Sequence, residues 1–306
     1  MNKQLKGALA LLTATVIWGF AFIAQSVGMD LIGPFTFQMV RCLLAVALLV
    51  PLSFLLDMGK CSMKESFEKW KNPKLWKASI SCGCALFVAS SLQQIGLVTT
   101  SAGKSGFLTA LYIVLVPLFG IFLHRRVGLN VWLAVVLATG GLYLLCAVDG
   151  FTLAAGDALT LLCAVCFAVQ IMLVDKFAPR TNPMLLCAVQ FGVVGLLSAP
   201  LMFLLEEPSF TGLWEARIPL LYTGIMSSAV AYSLQIGGQR DTEPALASLL
   251  MSFESVFSVL AGALLLHERL TLTELCGCVL VFAAILLAQF SPFGRKRPQQ
   301  KKGKKV

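Results

Sequence analysis

Long apolar segments separated by short polar stretches run along the whole chain. Each segment is about 17 to 25 residues long, enough for a helix to cross about 30 Å of hydrocarbon. Helices are expected because strands with open edges would leave backbone groups unpaired in lipid. The pattern predicts an all-α polytopic membrane protein with ten transmembrane helices. The predicted spans are residues 7–28, 34–56, 78–98, 103–123, 129–148, 157–175, 184–205, 218–237, 245–265 and 272–290.

Composition supports this prediction. With 58% hydrophobic and 13% charged residues, the 306-residue chain is too apolar for a soluble globule. Lys3 and Lys6 precede the first apolar segment as in a signal peptide, but that segment is too long and lacks a clear small-residue cleavage site. We therefore interpret it as a permanent span. Cys163 and Cys166 have metal-ligand spacing, yet no histidine or second cysteine pair accompanies them, so no metal site is expected.

The chain contains two copies of one unit. Shifting its beginning by 149 positions aligns Trp18 with Phe167, and shifting a later stretch by 143 positions aligns Ser105 with Ser248. Such duplication is typical of secondary transporters, whose site lies between the two halves. The predicted divisions are a first five-helix repeat over 1–148, a second over 149–290 and a basic tail over 291–306.

The basic residues predict the orientation. If the amino terminus is cytoplasmic, all but four of the 24 lysines and arginines lie on the cytoplasmic side. The exceptions are Lys104, Arg217 and Arg269, and Arg41 within a span. The loop 57–77 carries six lysines, whereas its equivalent in the second copy, 206–217, is acidic. Equivalent loops therefore lie on opposite sides, which predicts an inverted repeat in the cytoplasmic membrane with both termini cytoplasmic.

The net charge of +9 arises beside the spans rather than on one compact face. Contact with anionic lipid headgroups is therefore expected, and nucleic acid is not. Phe67, Trp70 and Trp76 lie among the lysines of 60–77. They indicate an interfacial helix on the cytoplasmic surface, with a solvated loop as the alternative.

Six short stretches resemble the EamA family of the drug/metabolite transporter superfamily. They are Ile17-Trp18-Gly19, Gly33-Pro34 leading to Arg41, Thr99 to Arg126, Thr242-Glu243-Pro244-Ala245, Ser252 to Phe257, and Leu266 to Thr271. The resemblance covers nearly the whole chain and implies two inverted five-helix bundles around a central cavity. It also implies export of small metabolites. Many relatives have proline after the glutamate of the ninth span, where this chain has Ser255, so a proline-broken helix is not expected there.

Glu254 is the sharpest candidate for the transport chemistry. It lies roughly 15 Å into the ninth span, where a lipid-facing carboxylate would cost at least ~2.5 kcal/mol. It is interpreted as a proton-coupling or substrate-binding group, or alternatively as a hydrogen-bond acceptor between helices. Arg41 lies at a depth from which it could reach Glu254. Its two possible roles are packing of the bundle and recognition of a substrate carboxylate.

Other polar residues complete the candidate pathway. Lys104 and Glu254 occupy equivalent faces of equivalent helices and are expected to meet near the pseudo-twofold axis, unless Lys104 extends to the headgroups. The remaining candidates could either bridge helices or contact substrate. They are Trp18, Gln25, Gln93, Gln94, Tyr112, Gln170, Gln190, Tyr232 and Gln235.

These features favour a secondary transporter that works by alternating access on a small-molecule substrate, with proton coupling as a hypothesis. A membrane-embedded enzyme is the first alternative, but His124 and His267 fall on opposite sides and cannot share a site. A non-transporting scaffold or receptor is the second alternative. No cofactor or nucleotide-binding loop is expected, because Gly103-Lys104-Ser105 lacks the glycine required five positions earlier. The oligomeric state does not follow from the sequence.

Overall fold

A computed structural model describes residues 3–58, 60–100, 102–124, 127–146, 155–265 and 271–289. The described residues are almost entirely helical. The α-helices are α1 (Lys3–Met29), α2 (Pro34–Asp57), α3 (Met63–Trp70), α4 (Pro73–Gly96), α5 (Ala102–Ala110), α6 (Tyr112–Phe122), α7 (Leu129–Cys146), α8 (Ala155–Phe177), α9 (Pro183–Leu205), α10 (Phe210–Glu215), α11 (Arg217–Leu221), α12 (Tyr232–Asp241), α13 (Pro244–Met251), α14 (Phe253–Leu265) and α15 (Leu272–Gln289). A short 3₁₀ helix covers Ala178–Arg180, and a π-helix covers Tyr222–Ala231.

These helices form ten membrane spans. Within the described ranges, seven helical segments are long and apolar enough to cross a membrane, and two shorter apolar helices lie within α7 and α15. The remaining span consists of α11, the π-helix and α12, which follow one another without a break. The fold is therefore that of an all-α polytopic membrane protein with two five-helix repeats. Because five is odd, the second repeat enters the membrane from the side opposite to the first. The predicted tail, 291–306, lies outside the described residues.

Local sequence explains where several helices begin. Pro34, Pro73, Pro183 and Pro244 each occupy the first helical position, where a missing N–H costs nothing. The side chain of Asn182 caps α9 by accepting hydrogen bonds from two backbone N–H groups. The equivalent turn before α2 has Gly33, which cannot cap by itself.

The cap of α2 comes from the other half of the molecule. Glu206 follows α9, and its carboxylate accepts hydrogen bonds from the backbone N–H groups of Phe35 and Thr36, both at 2.7 Å. It also accepts one from the Thr36 hydroxyl at 2.6 Å. A carboxylate at this end of a helix is favoured by the helix dipole. The contact therefore joins the start of α2 to the end of α9.

The two halves interlock rather than forming separate bundles. The first helix of the first repeat, α1, packs mainly against α12 and α14 of the second repeat. Correspondingly, α8 packs against α4, α5 and α6 of the first repeat. The equivalent helices α2 and α9 pack against each other, and so do α7 and α15. This arrangement has the symmetry expected of a pseudo-twofold axis between the halves.

Equivalent glycines mark the points where these helices cross. A Cβ on Gly238 would lie 2.8 Å from the carbonyl oxygen of Gly7, and a Cβ on Gly96 would lie 2.9 Å from that of Gly156. Since Gly7 and Gly156 are equivalent positions in α1 and α8, the same backbone contact occurs twice. Such close approach requires residues without side chains.

A close contact between a glycine and a backbone carbonyl oxygen also occurs at a second pair of helix crossings. A Cβ on Gly83 of α4 would lie 3.0 Å from the carbonyl oxygen of Gln190, and one on Gly224 of the π-helix would lie 3.1 Å from that of Arg41. Arg41 and Gln190 are themselves equivalent in the sequence repeat. The backbone arrangement around these two positions is therefore shared, although one side chain is charged and the other is not.

The fourth and ninth spans are each interrupted near their middle. The fourth changes from α5 to α6 at Leu111, and the ninth changes from α13 to α14 at Ser252. The Ser252 hydroxyl bonds to the carbonyl oxygen of Leu249 at 2.8 Å, and the Ser255 N–H bonds to that of Ser252 at 3.2 Å. The ninth span is thus interrupted although no proline follows Glu254, because serine hydrogen bonds tighten one turn.

The predicted helix within 60–77 forms over α3. Ser62 and Glu65 make a capping box at its start. Phe67 and Trp70 pack against Phe54 of α2, with ring centroids 4.9 and 6.0 Å away. Lys69 donates to Asp57 at 2.6 Å, and this hydrogen bond raises the pKa of Lys69 above its ordinary value. The helix is therefore fixed to the end of α2.

Candidate functional site

A cavity lies where the two halves meet. Three equivalent pairs from the repeat contribute to its walls, and both halves supply polar groups. The lining residues are Trp18, Phe22, Gln25, Arg41, Gln93, Thr109, Tyr112, Phe167, Ile171, Ser227, Tyr232, Gln235, Met251 and Glu254. Eight of the twelve residues predicted for the pathway are among them.

The equivalent pairs give the cavity a largely neutral frame. Trp18 faces the same space as Phe167, Phe22 as Ile171, and Gln93 as Gln235. Since the members of each pair come from opposite halves, the pseudo-twofold axis passes through the cavity. The two charged lining residues, Arg41 and Glu254, break this symmetry because their repeat mates are Gln190 and Leu111.

Glu254 is buried in the cavity wall, with 6% of its surface exposed. It lies in the first turn of α14, directly after the interruption at Ser252, where the helix dipole favours a carboxylate. The hydroxyl of Tyr112, the first residue of α6, donates to Glu254 Oε1 at 2.9 Å. The interrupted spans of the two halves are therefore joined at the cavity by one buried hydrogen bond.

Arg41 is also buried, with 3% of its surface exposed. Its Nη1 donates to Gln25 Oε1 at 2.6 Å, and its Nε has no hydrogen-bond partner within the described protein. Arg41 and Glu254 line the same cavity, but no ion pair joins these two described residues. Both residues therefore border the central space, but no direct Arg41–Glu254 contact forms.

Aromatic rings form one wall. The rings of Trp18 and Tyr232 meet edge to face with centroids 5.0 Å apart, and Phe191 packs against Tyr232 at the same distance. The indole Nε1 of Trp18 has no partner within the described part of the chain. Trp18 therefore contributes ring surface to this wall and carries one unused hydrogen-bond donor.

The amides divide into two groups. Gln93 donates to the Thr109 hydroxyl at 3.1 Å, and Gln235 donates to Gln170 at 3.3 Å. Gln170 thus supports the cavity from behind. Gln94 and Gln190 are buried away from the cavity, and neither amide has a partner among the described residues. Gln94, Gln170 and Gln190 are therefore not among the residues that line the cavity, and Gln170 bridges two helices, which was one of its two predicted roles.

Lys104 does not meet Glu254. Its Nζ lies 2.6 Å from Asp157 Oδ2, and the Thr100 hydroxyl donates to the other oxygen of Asp157 at 3.0 Å. Asp157 is fully buried in the first turn of α8, so it requires a nearby cation, and Lys104 at the start of α5 is within reach. The sequence prediction placed Lys104 only from the equivalent position in the second repeat. It did not identify Asp157 as the acid that pairs with Lys104.

Among the described residues, no group of three histidine, cysteine, aspartate or glutamate side chains could hold a metal ion. Cys163 lies 3.7 Å from the Thr109 hydroxyl and is completely buried behind the cavity.

Comparison with known proteins gives the family. The EamA-like transporter family matches the chain twice, over residues 5–147 and 154–290. The chain belongs to this family. The family match and the transporter names of its relatives identify the chain as a multi-pass membrane transport protein and not an enzyme. The match confirms the family resemblance seen in the sequence.

The relatives of this EamA-like transporter cover nearly all of it. An uncharacterized transporter of Archaeoglobus fulgidus is 28% identical and aligns over 93% of this chain and 86% of its own length. A chloroplastic WAT1-related protein of Arabidopsis thaliana is 26% identical over 92% of this chain and 68% of its own length. A protein crystal structure with 19% identity superposes with a TM-score of 0.76, covering 92% of this chain and 96% of that one, and shows that the fold is shared.

Sequence reasoning missed several lining residues of this EamA-like transporter. Phe22 follows Trp18 by four residues, and Ile171 follows Phe167 by four, so helical spacing could have found both. Thr109 and Met251 precede Tyr112 and Glu254 by three residues and lie just before the interruptions at Leu111 and Ser252. Ser227 lies in the π-helix, for which the sequence carries no comparable signal.

Proposed function

We propose that this transporter is a secondary exporter of small organic metabolites or amphipathic compounds in the cytoplasmic membrane and works by alternating access. The observation that supports this most directly is the cavity between the interlocked halves, which is lined by polar groups from both. Concave sites with a few polar groups on apolar walls suit small molecules. Export is what the family resemblance implies.

The repeated helix crossings supply a basis for alternating access. The contact between Gly7 and Gly238 involves the start of α1, and the contact between Gly96 and Gly156 involves the start of α8. In inverted repeats these two contacts lie toward opposite membrane surfaces. Loosening one crossing while the other stays closed would open the cavity to one side at a time.

We further propose that Glu254 couples transport to protons. A carboxyl group can exist in charged or neutral form, and the free energy of the charged form depends on whether the cavity is open to water. The titratable groups near Glu254 are Tyr112, which donates to it, together with Tyr232, Cys163 and the fixed charge of Arg41. Proton uptake and release at Glu254 could thus follow the opening of the cavity.

The charge distribution supports a proposed orientation and a lipid partner. With both termini cytoplasmic, α3 and its flanking lysines would lie on the cytoplasmic leaflet. The aromatic contacts of Phe67 and Trp70 with Phe54 fix this helix beside the membrane end of α2. Anionic headgroups would then contact Lys60, Lys64, Lys71, Lys74 and Lys77.

The transport proposal is tested in two steps. Metabolites that accumulate in cells lacking the gene, compared with cells expressing it, identify the exported compound. That compound is then loaded into proteoliposomes of purified protein with an imposed pH gradient. Glu254→Gln should abolish uphill transport but preserve exchange, because the amide retains the Tyr112 hydrogen bond without exchanging a proton.

Glu207→Gln is the matched control, since it removes an exposed carboxylate beyond the end of α9 and should leave uphill transport unchanged. Full uphill transport by Glu254→Gln would reject proton coupling through this residue. Failure of the wild-type protein to move any metabolite that differs between the cells would reject export itself.

A further inference from the structure

The charge of Arg41 is not compensated by any contact within the described protein. The guanidinium is 3% exposed and its one side-chain partner is the neutral oxygen of Gln25. Because arginine cannot lose its proton, a buried guanidinium requires an anion or several acceptors. The nearest titratable acid in the cavity, Glu254, is hydrogen-bonded to Tyr112 and forms no ion pair with Arg41, both residues being described.

The repeat shows that the charge is not required for packing. Gln190 occupies the equivalent position in α9, and the crossing glycines Gly224 and Gly83 approach the Arg41 and Gln190 carbonyl oxygens at similar distances, 3.1 and 3.0 Å. The same helix geometry therefore forms around a neutral residue. Gln190 is buried away from the cavity, whereas Arg41 lines it. This comparison favours a ligand-binding role for Arg41 over a packing role.

Two unused donors belong to residues that line the cavity. Arg41 Nε and Trp18 Nε1 each have no acceptor in the described structure, and both residues line the cavity. Buried donors without partners cost free energy, so a ligand that offers acceptor oxygens here is favoured. A planar carboxylate has two such oxygens, and guanidinium binds them at two points.

The rest of the wall indicates the body of the ligand. The rings of Tyr232, Phe167 and Phe22 line the same cavity as Arg41 and Trp18, and the Tyr232 ring contacts that of Trp18. Gln235 Oε1, which lacks a partner in the described part of the chain, adds one acceptor. An apolar or aromatic body fits these rings, and one donor on it could reach Gln235.

We propose that the cavity binds a small organic anion, a carboxylate on an aromatic or apolar body, with its oxygens on Arg41 and Trp18. This assignment rests on the proposed transport function and names the substrate class of that site. It also gives Arg41 and Glu254 separate roles, since the first binds the anion and the second carries the proton.

The test compares three ligands of one shape on the full-length protein in lipid nanodiscs by calorimetric titration. They are 3-phenylpropionate, its neutral amide and the cationic 3-phenylpropylamine. The carboxylate should bind roughly tenfold or more tightly than the amide, because only the charged group gains a charge-assisted pair with Arg41. The amine should bind more weakly than both.

Arg41→Gln reproduces the residue of the equivalent position and should remove the carboxylate preference while retaining the weak amide binding. Arg217→Gln is the matched control, because Arg217 is exposed outside the cavity and its loss should change nothing. If Arg41→Gln fails to fold, Arg41→Lys decides the matter, since it should keep a reduced preference for the carboxylate. Trp18→Phe copies Phe167 and should weaken carboxylate binding by loss of the indole N–H.

The outcomes separate this inference from the transport proposal. Equal binding of carboxylate and amide, tighter binding of the amine, or no saturable binding of any ligand up to millimolar concentration would overturn the anion assignment. Counterflow of 3-phenylpropionate in proteoliposomes is measured in parallel. Binding without counterflow would support the anion site and contradict transport. Transport of other metabolites by a protein that shows no preference for the carboxylate would support transport and contradict the anion site.

Discussion

At the scale of single residues, the Tyr112–Glu254 hydrogen bond gives the buried carboxyl group of Glu254 its hydrogen-bond donor. Both partners are buried, and their oxygen atoms are 2.9 Å apart. Tyr112→Phe should lower the free energy of unfolding by about 1 to 3 kcal/mol, because Glu254 would lose its donor without gaining water. Thermal unfolding in a fixed detergent measures this change.

A double-mutant cycle supplies the control for this prediction. Tyr112→Phe combined with Glu254→Leu, which removes the acceptor where Glu254→Gln would keep it, should cost less than the sum of the two single changes, since the residues are in direct contact. Additive costs would mean that the hydrogen bond does not contribute to stability.

At the scale of helices, the crossing of α1 and α12 leaves no room for a methyl group. A Cβ on Gly238 would lie 2.7 Å from Leu11 Cγ and 2.8 Å from the carbonyl oxygen of Gly7. Gly238→Ala should therefore destabilise the protein by about 1 to 3 kcal/mol through overpacking and slow transport by disturbing one crossing. Gly140→Ala is the matched control, because no atom lies within 4 Å of its added Cβ.

The expected control result has the opposite sign. Alanine in a helix interior is favoured over glycine by about 0.5 to 1 kcal/mol, so Gly140→Ala should be neutral or stabilising. Thermal unfolding and proteoliposome flux of both variants provide the comparison. Equal stability of the two variants would contradict the close crossing.

The ion pair between α5 and α8 joins the two halves away from the cavity. Lys104→Met should destabilise the protein by up to about 3 kcal/mol, because Asp157 is fully buried and would lose a cation 2.6 Å away. Lys71→Met breaks the exposed pair with Glu68 and should have no measurable effect. If both variants unfolded at the wild-type temperature, the Lys104 pair would be dispensable.

At the scale of the whole molecule, much of the fold follows from apolar length and repetition. The predicted spans 34–56 and 184–205 agree closely with Pro34–Asp57 and Pro183–Leu205, because a proline and a cap define where each helix begins. The π-helix has no comparable signal in the sequence. The interruption at Ser252 was not predicted because it involves serine hydrogen bonds, and serine also occurs within uninterrupted helices. Glu254 was found because a mid-membrane carboxylate is costly anywhere, whereas Lys104 was misplaced because its partner Asp157 is 53 residues away.

The inverted arrangement makes a prediction about the two equivalent loops. Five spans separate the end of α2 from the end of α9, so the loops 57–77 and 206–217 should face opposite sides of the bilayer. The six lysines of the first loop resist translocation, which argues that this loop is cytoplasmic.

Cys61 in that loop should therefore react with a membrane-impermeant maleimide only after cells are permeabilised. In a Cys61→Ser background, Glu215→Cys should react in intact cells. Reaction of both positions from the same side would contradict the inverted repeat, and with it the placement of the cavity between two oppositely oriented halves.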